Sequence, residues 1–177
     1  VFWKKFLELK TLALKPESFP YKTIVLDSIT TFSGSLMAEV IRQNPGEASK
    51  RSHVADTMVP HLKDYQIAIS HIKNVVSGLL SLPCNVVMTG HIQTEKDELS
   101  GEIIRQPMIF GKDLPGWLPM VFEEVYYCHV SSGADSSGKS QIKHLGQARG
   151  PKYVCRTQIN GLPAVFDLNY DTMKKYF

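Results

Sequence analysis

Tyr21-Lys22-Thr23-Ile24-Val25-Leu26-Asp27-Ser28 is the stretch on which the fold of this chain turns. Its apolar run is continuous rather than alternating, which suits a parallel strand covered on both faces. The run then meets a carboxylate and a hydroxyl. A carboxylate at the carboxyl end of a central parallel strand stands in the crevice where open α/β sheets bind ligands. There Asp27 is a candidate ligand for a hard cation held through water. The same pattern has a plainer reading, since strand-end Asp and Ser residues cap the helix that follows. On the strand alone both readings stay open.

Upstream, Trp3, Phe6, Leu7, Leu9, Leu12 and Leu14 fall close to helical spacing among lysines and predict an amphipathic helix over residues 3–14. Lys15-Pro16-Glu17-Ser18-Phe19-Pro20 breaks it. Downstream, Ile29, Phe32, Leu36, Val40 and Ile41 recur at three- and four-residue steps, so a helix follows the strand directly. Residues 44–53 are polar, rich in turn formers, and predict a loop. Pro60 suits a helix first turn. From Leu62 through Tyr65, Ile69, Ile72, Val76 and Leu79 an apolar stripe runs down to Pro83. Asn85-Val86-Val87-Met88-Thr89-Gly90-His91 reads as a second buried strand. Strand, two helices and strand in this order form the connection that neighbouring parallel strands require. Thr89 and His91 then emerge beside Asp27, where a polar group can contact a phosphate or an attacking water. A plain loop histidine is the alternative for His91.

Beyond His91 the character changes. Residues 94–105 predict a charged hairpin turning at Ser100-Gly101, and residues 114–122 a short helical or irregular apolar segment. Three β-like runs follow at 124–130, 141–145 and 153–159. The Ser/Gly-rich residues 131–139 predict a flexible hairpin tip.

The composition limits the classes open to the chain. With 177 residues there is enough for one domain with a real core, and 43% hydrophobic against 21% charged residues is ordinary for a globular protein. A net charge of +3 permits a nucleic-acid partner without arguing for one. No apolar run approaches the roughly 18 residues of a membrane span, and the N-terminus lacks the features of a signal peptide. Cys84, Cys128 and Cys155 are odd in number and form no CxxC pair, which predicts buried small hydrophobes in a reducing compartment rather than a disulfide framework. A metal centre built from histidines is disfavoured by spacing: His61 and His71 lie about 280° apart round one helix. The chain begins at Val1 rather than Met, which predicts a piece of something longer.

Taken in order, these segments resemble the phage-encoded AAA/RecA-like P-loop ATP-binding proteins of the single-strand annealing and recombination type. The resemblance rests on residues 21–30, residues 85–91, the charged hairpin at 95–105, Gly111-Lys112-Asp113-Leu114-Pro115-Gly116, and Phe122-Glu123-Glu124-Val125-Tyr126-Tyr127. It covers the chain from about residue 3 to about residue 166. It implies an α/β fold, a RecA-like P-loop NTPase core whose parallel sheet is flanked by helices, with a C-terminal antiparallel β extension. Residues 1–177 would form that single core domain. ATP and Mg²⁺ are the implied cofactors. Asp27 would hold Mg²⁺ through water, Ser28 and Thr89 would lie in the nucleotide site, and His91 would sense the γ-phosphate as a catalytic residue.

The resemblance also implies single-stranded DNA as partner, bound by two loops. Lys50 and Arg51 stand in the first, at residues 44–58. Lys96, Arg105 and Lys112 stand in the second, at residues 92–112, where Asp97, Glu98 and Glu102 keep a solvated hairpin open as the alternative. A homo-oligomeric ring or filament is implied, with a neighbour's basic residue completing the ATP site. Arg149, Lys152 and Arg156 are candidates for that finger, although surface ion pairs would explain them as well. The expected location is the cytoplasm of a bacterial host, away from membranes. One departure is large: Gly133–Ser140 spells GxxxxGK[ST], but it lies in the Ser/Gly-rich tip, and Gly138-Lys139-Ser140 has neither a strand before it nor a helix after it, so it does not read as a phosphate loop. The phosphate-loop segment is therefore expected N-terminal to these residues, and ATP hydrolysis is expected of the full-length form only. The alternative is a non-catalytic RecA-fold interaction or assembly protein.

Overall fold

Helix α1 (Phe2–Leu12) opens the chain, and its apolar stripe anchors Phe6 and Leu9 in the core. The computed structural model describes residues 2–44, 53–54, 57–96, 98, 101–134, 139–150 and 152–176. A short 3-10 turn at Pro16–Ser18 follows α1, then strand β1 (Thr23–Leu26) and helix α2 (Ile29–Gln43). Two-residue strands β2 (His53–Val54) and β3 (Thr57–Met58) pair antiparallel inside the segment read as a loop. Helix α3 (Leu62–Leu80) and strand β4 (Asn85–Met88) complete the connection. Strands β1 and β4 pair in parallel, from Thr23↔Asn85 to Leu26↔Met88. The helical connection between two parallel strands is thus the arrangement the residue pattern predicts.

The chain divides into two compact units. The first takes Val1–His91 and Met108–Gly111, the second Ile92–Pro107 and Lys112–Phe177. In the first, Phe6 and Leu9 pack with Val75, Leu79 and Leu82, and Ile24, Leu26, Val86 and Met88 of the sheet lie against them. The coverage of β1 differs from expectation. Val25 is 59% exposed and Val87 47%, so among the described residues only one face of the parallel pair is covered. The period of two in a strand sends Ile24 and Leu26 one way and Val25 the other, and α1 and α3 both pack on the first side. A second cluster joins Met37 and Val40 of α2 to Ala68 of α3, with Tyr65 and Phe110 against it. Helix α3 begins after His61 rather than at Pro60. The His61 N–H donates to Asp64 Oδ2 at 2.8 Å, one half of a capping box.

The second unit is built of antiparallel strands. Strands β5 (Ile92–Lys96) and β6 (Ile103–Pro107) form the charged hairpin, and helix α4 (Leu114–Met120) follows. Strands β7 (Tyr127–Ala134), β8 (Ser140–Gln147) and β9 (Val165–Asp167) make a three-stranded sheet in that order, and the short helix α5 (Tyr170–Met173) closes it. Two expectations fail here. Residues 131–134 belong to β7, because they keep register with β8 out to Ala134↔Ser140; ladder pairing outweighs their turn-forming composition. Residues 153–159 form no strand. They make isolated bridges, Tyr153 to Arg105 and Arg156 to Val125, and the third strand is 165–167 instead.

Around Ala148, Leu162 and Phe166 gathers a core that takes in Tyr126, Ile159, Met173 and Tyr176. Beside it the Tyr126 hydroxyl donates to Glu124 at 2.7 Å and the Gln158 N–H donates to the same carboxylate at 2.8 Å. Burial pushes the Glu124 carboxyl up, but hydrogen bonds from Thr157, Tyr126 and the backbone of Gln158 and Ile159 outweigh it and hold the pKa below its ordinary value. Of the three thiols, Cys84 and Cys155 are half-buried, while Cys128 is exposed, against the expectation of burial.

Gly146 of β8 faces Phe166 across the ladder, and a Cβ there would lie 2.5 Å from the ring. The glycine leaves room for the ring to lie over the strand. Gly146→Ala is expected to displace Phe166 and to cost about 1–3 kcal/mol of stability in urea unfolding. No described helix is long and apolar enough to cross a membrane.

Candidate functional site

The carboxyl ends of β1 and β4 lie side by side, and the site is built on that. Leu26 O accepts from the Thr89 N–H at 3.1 Å, and Thr89 O accepts from the Ile29 N–H at 2.9 Å. These bonds carry the pairing past the last strand residues and bring Asp27 and Thr89 together although they are 62 apart in sequence. The Thr89 hydroxyl donates to Asp27 Oδ1. Asp27, Ser28, Thr89, Gly90 and His91 line one open depression.

The two readings of the strand end separate at this point. Ser28 caps α2: its Oγ accepts from the Thr31 N–H at 3.2 Å and lies 3.0 Å from the Thr31 hydroxyl, and the residue is buried. Asp27 is exposed and its carboxylate is held from the neighbouring strand, so it is not the cap. The Asp27–Ser28 peptide bond is cis. One residue of this site carries no role in the sequence reading. Thr30 accepts from the His91 N–H at 3.0 Å and donates to Met108 O at 2.8 Å, while the Met108 N–H donates to His91 O at 2.7 Å. Thr30 thereby fixes the backbone on which His91 stands. The signal for it was a hydroxyl in the first turn of the helix, which is too common to single out.

The depression offers two oxygen donors, the exposed Asp27 carboxylate and the Thr89 hydroxyl, and His91 also lines it. Among the described residues no group of three or more His, Cys, Asp or Glu side chains could together hold a metal ion. The single Asp27 carboxylate is what a Mg²⁺ ion asks of a protein, since that ion takes one or two carboxylates and completes its octahedron with water and substrate phosphate.

Lys50 and Arg51 lie outside the described residues. Lys96 and Arg105 fall on one face of the β5–β6 hairpin, since Thr94↔Arg105 and Lys96↔Ile103 alternate with Glu95↔Ile104. Glu95 is on the opposite face, where Gln106 donates to it. Lys112 and Lys152 are exposed. Arg149 donates from its guanidinium to Leu162 O at 2.7 Å and Ile159 O at 3.3 Å, and Arg156 to Met120 O at 3.0 Å. Arg149 therefore ties a loop, and Arg156 the end of α4, within their own unit.

A mixed α/β architecture, with a small parallel sheet that ends in an exposed carboxylate and polar neighbours, defines a class of strand-end ligand-binding domains. A family model described as an AAA domain matches residues 2–158. The chain belongs to this AAA-domain family, which is of the P-loop NTPase type and points to nucleotide-binding or ATPase-like function. Comparison with curated proteins and with solved structures gives no significant match.

Proposed function

We propose that this chain is the core of a phage RecA-like ATPase that couples Mg-ATP binding and hydrolysis to single-stranded DNA in recombination or annealing. The observation that supports it most is the Asp27 carboxylate, exposed at the end of β1, oriented by Thr89 of the neighbouring strand and left out of the helix cap. Bound there, Mg²⁺ would neutralise phosphate charge during transfer. Asp27 holds the ion's water shell, Thr89 orients Asp27, and His91 lies where a terminal phosphate is sensed. Lys96 and Arg105, segregated from Glu95 on the hairpin, supply cations for phosphates of a single strand, joined by Lys112 and by Lys50 and Arg51. Of the three finger residues, Lys152 is the one we favour, because the Arg149 and Arg156 guanidiniums are held by carbonyls. A ring or filament in the cytoplasm of a bacterial host would place that lysine at a neighbour's nucleotide.

A second reading, a non-catalytic RecA-fold assembly protein, is favoured by one feature: the run that spells GxxxxGK[ST], Gly133–Ser140, begins in β7 and ends in its antiparallel partner β8, with no helix after it to receive a phosphate. The two are told apart with the gene product in its longest form. ATP turnover is expected to need Mg²⁺ and to rise when single-stranded oligonucleotide is added. An affinity for ATP that is the same with and without Mg²⁺, with no turnover, would leave the assembly reading in its place.

A further inference from the structure

A column of flat side chains in the second unit has no part in the nucleotide site. Tyr127 and His129 are two residues apart on β7, hence on one face, and their rings stack with centroids 5.2 Å apart and an interplanar angle of 16°. Tyr153 stacks on Tyr127 at 4.3 Å and 29°. Tyr127 is thus stacked with two rings, one from its own strand and one from the segment beside β6. Tyr153 reaches this position because its segment joins β6: the Arg105 N–H donates to Lys152 O at 2.8 Å and the Val154 N–H to Arg105 O at 3.1 Å. The same bridge sets the Arg105 guanidinium 5.1 Å from the Tyr153 ring centre. The column runs Arg105, Tyr153, Tyr127, His129.

At His129 it stops. The next residue on that face of β7 is Ser131, small and exposed, and opposite Ser131 on β8 stands the exposed Lys143. Past the half-buried imidazole the same face of the strand therefore carries a small exposed hydroxyl residue, with an exposed lysine opposite that residue on the ladder. Among the described residues His129 Nδ1 is buried without a hydrogen-bond partner. Charge is sorted on this unit as well. Lys96 and Arg105 share the hairpin face that leads to Tyr153, while Glu95 is turned away. Asp167, an acid on the same sheet face, is two strands from His129.

A half-buried imidazole at the end of a stack, with a lysine one step further along that face, suits a flat ring that carries a negative charge on a short tether. A nucleobase with its phosphate is such a group, and stacking of this kind tolerates any base. We propose that one base of a single-stranded nucleic acid stacks on the outer face of His129, with its phosphate at Lys143 and the strand following the column to Arg105 and Lys96. The proposal rests on the reading of this protein as a single-strand binder and adds to it a stacking residue and a place.

The test is fluorescence anisotropy of the full chain with oligo-dT, oligo-rU and an abasic oligonucleotide of the same phosphate count. His129→Ala is expected to weaken oligo-dT binding about tenfold or more while leaving the abasic strand unchanged, and His129→Phe to restore it. Lys143→Ala is expected to lower the salt slope by about one phosphate contact. The same His129 dependence with oligo-rU supports the slot, and the tighter of the two strands identifies the sugar. If Lys96→Ala weakens oligo-dT but His129→Ala does not, single-strand binding stands and the stack is wrong. Equal affinity of the unaltered chain for abasic and base-bearing strands overturns the stack too. No binding of either removes the single-strand reading and this proposal together.

Discussion

Asp27→Ala is expected to abolish Mg²⁺-dependent ATP turnover in the form of the protein that carries a phosphate loop, by on the order of a hundredfold or more in kcat, with the fold intact. The carboxylate is exposed and accepts one hydrogen bond, from the Thr89 hydroxyl, so its removal leaves no buried group without a partner. What is lost is the negative charge at the strand end, the feature a Mg²⁺ shell needs. Asp27→Asn keeps the shape and an acceptor for Thr89 but not the charge, and is expected to be as inactive. Ser28→Ala should behave in the opposite way. Loss of the α2 cap costs about 1 kcal/mol of stability and leaves the Mg²⁺ dependence in place. Turnover that survives Asp27→Ala would remove the metal role from this residue.

Phe6→Ala is expected to be among the most destabilising single changes in the first unit, about 3–5 kcal/mol in urea or thermal unfolding. Phe6 is buried against Val75, Leu79 and Leu82 and lies over Gly78 of α3, where a Cβ would come within 2.5 Å of its ring. Phe2 stacks on it at 6.0 Å and Trp3 meets it edge-on at 6.2 Å. This contact docks α1 on the sheet face that carries Ile24, Leu26, Val86 and Met88. Its loss should therefore loosen β1 and β4 as well, seen as faster amide exchange at residues 23–26 and 85–88. Leu7, next in sequence and 61% exposed, supplies the contrast: Leu7→Ala should stay within about 0.5 kcal/mol. Equal costs for the two would mean that α1 is not docked by Phe6.

Much of the first unit was legible because its signals are local. The three- and four-residue recurrences at 3–14, 29–41 and 62–79 each became a helix, and the two apolar runs that end in Asp27 and Thr89 became parallel neighbours. The second unit was read less well. There Ser131, Ser132 and Gly133 look like a turn but continue β7, because the partner strand sets the ladder. Residues 153–159 look like a strand but serve as a connector that lends one bridge to Arg105 and one to Val125. Strand composition records a preference for a pleated, half-buried surface, and whether a partner is present depends on residues far along the chain.

The same division holds at the site. Sequence alone determined that a carboxylate follows an apolar strand and that hydroxyl and imidazole groups follow the next one, since both facts are matters of order along the chain. It could not decide between Asp27 and Ser28 as the helix cap, nor single out Thr30, nor bring Arg105, Tyr127, His129 and Tyr153 into one column. Apart from the Ser28–Thr31 cap and the Tyr127–His129 stack, those outcomes depend on hydrogen bonds and ring contacts between residues tens of positions apart. Tertiary structure decided them: Ser28 took the cap, Thr89 took the Asp27 carboxylate, and the charge at the end of β1 stayed exposed.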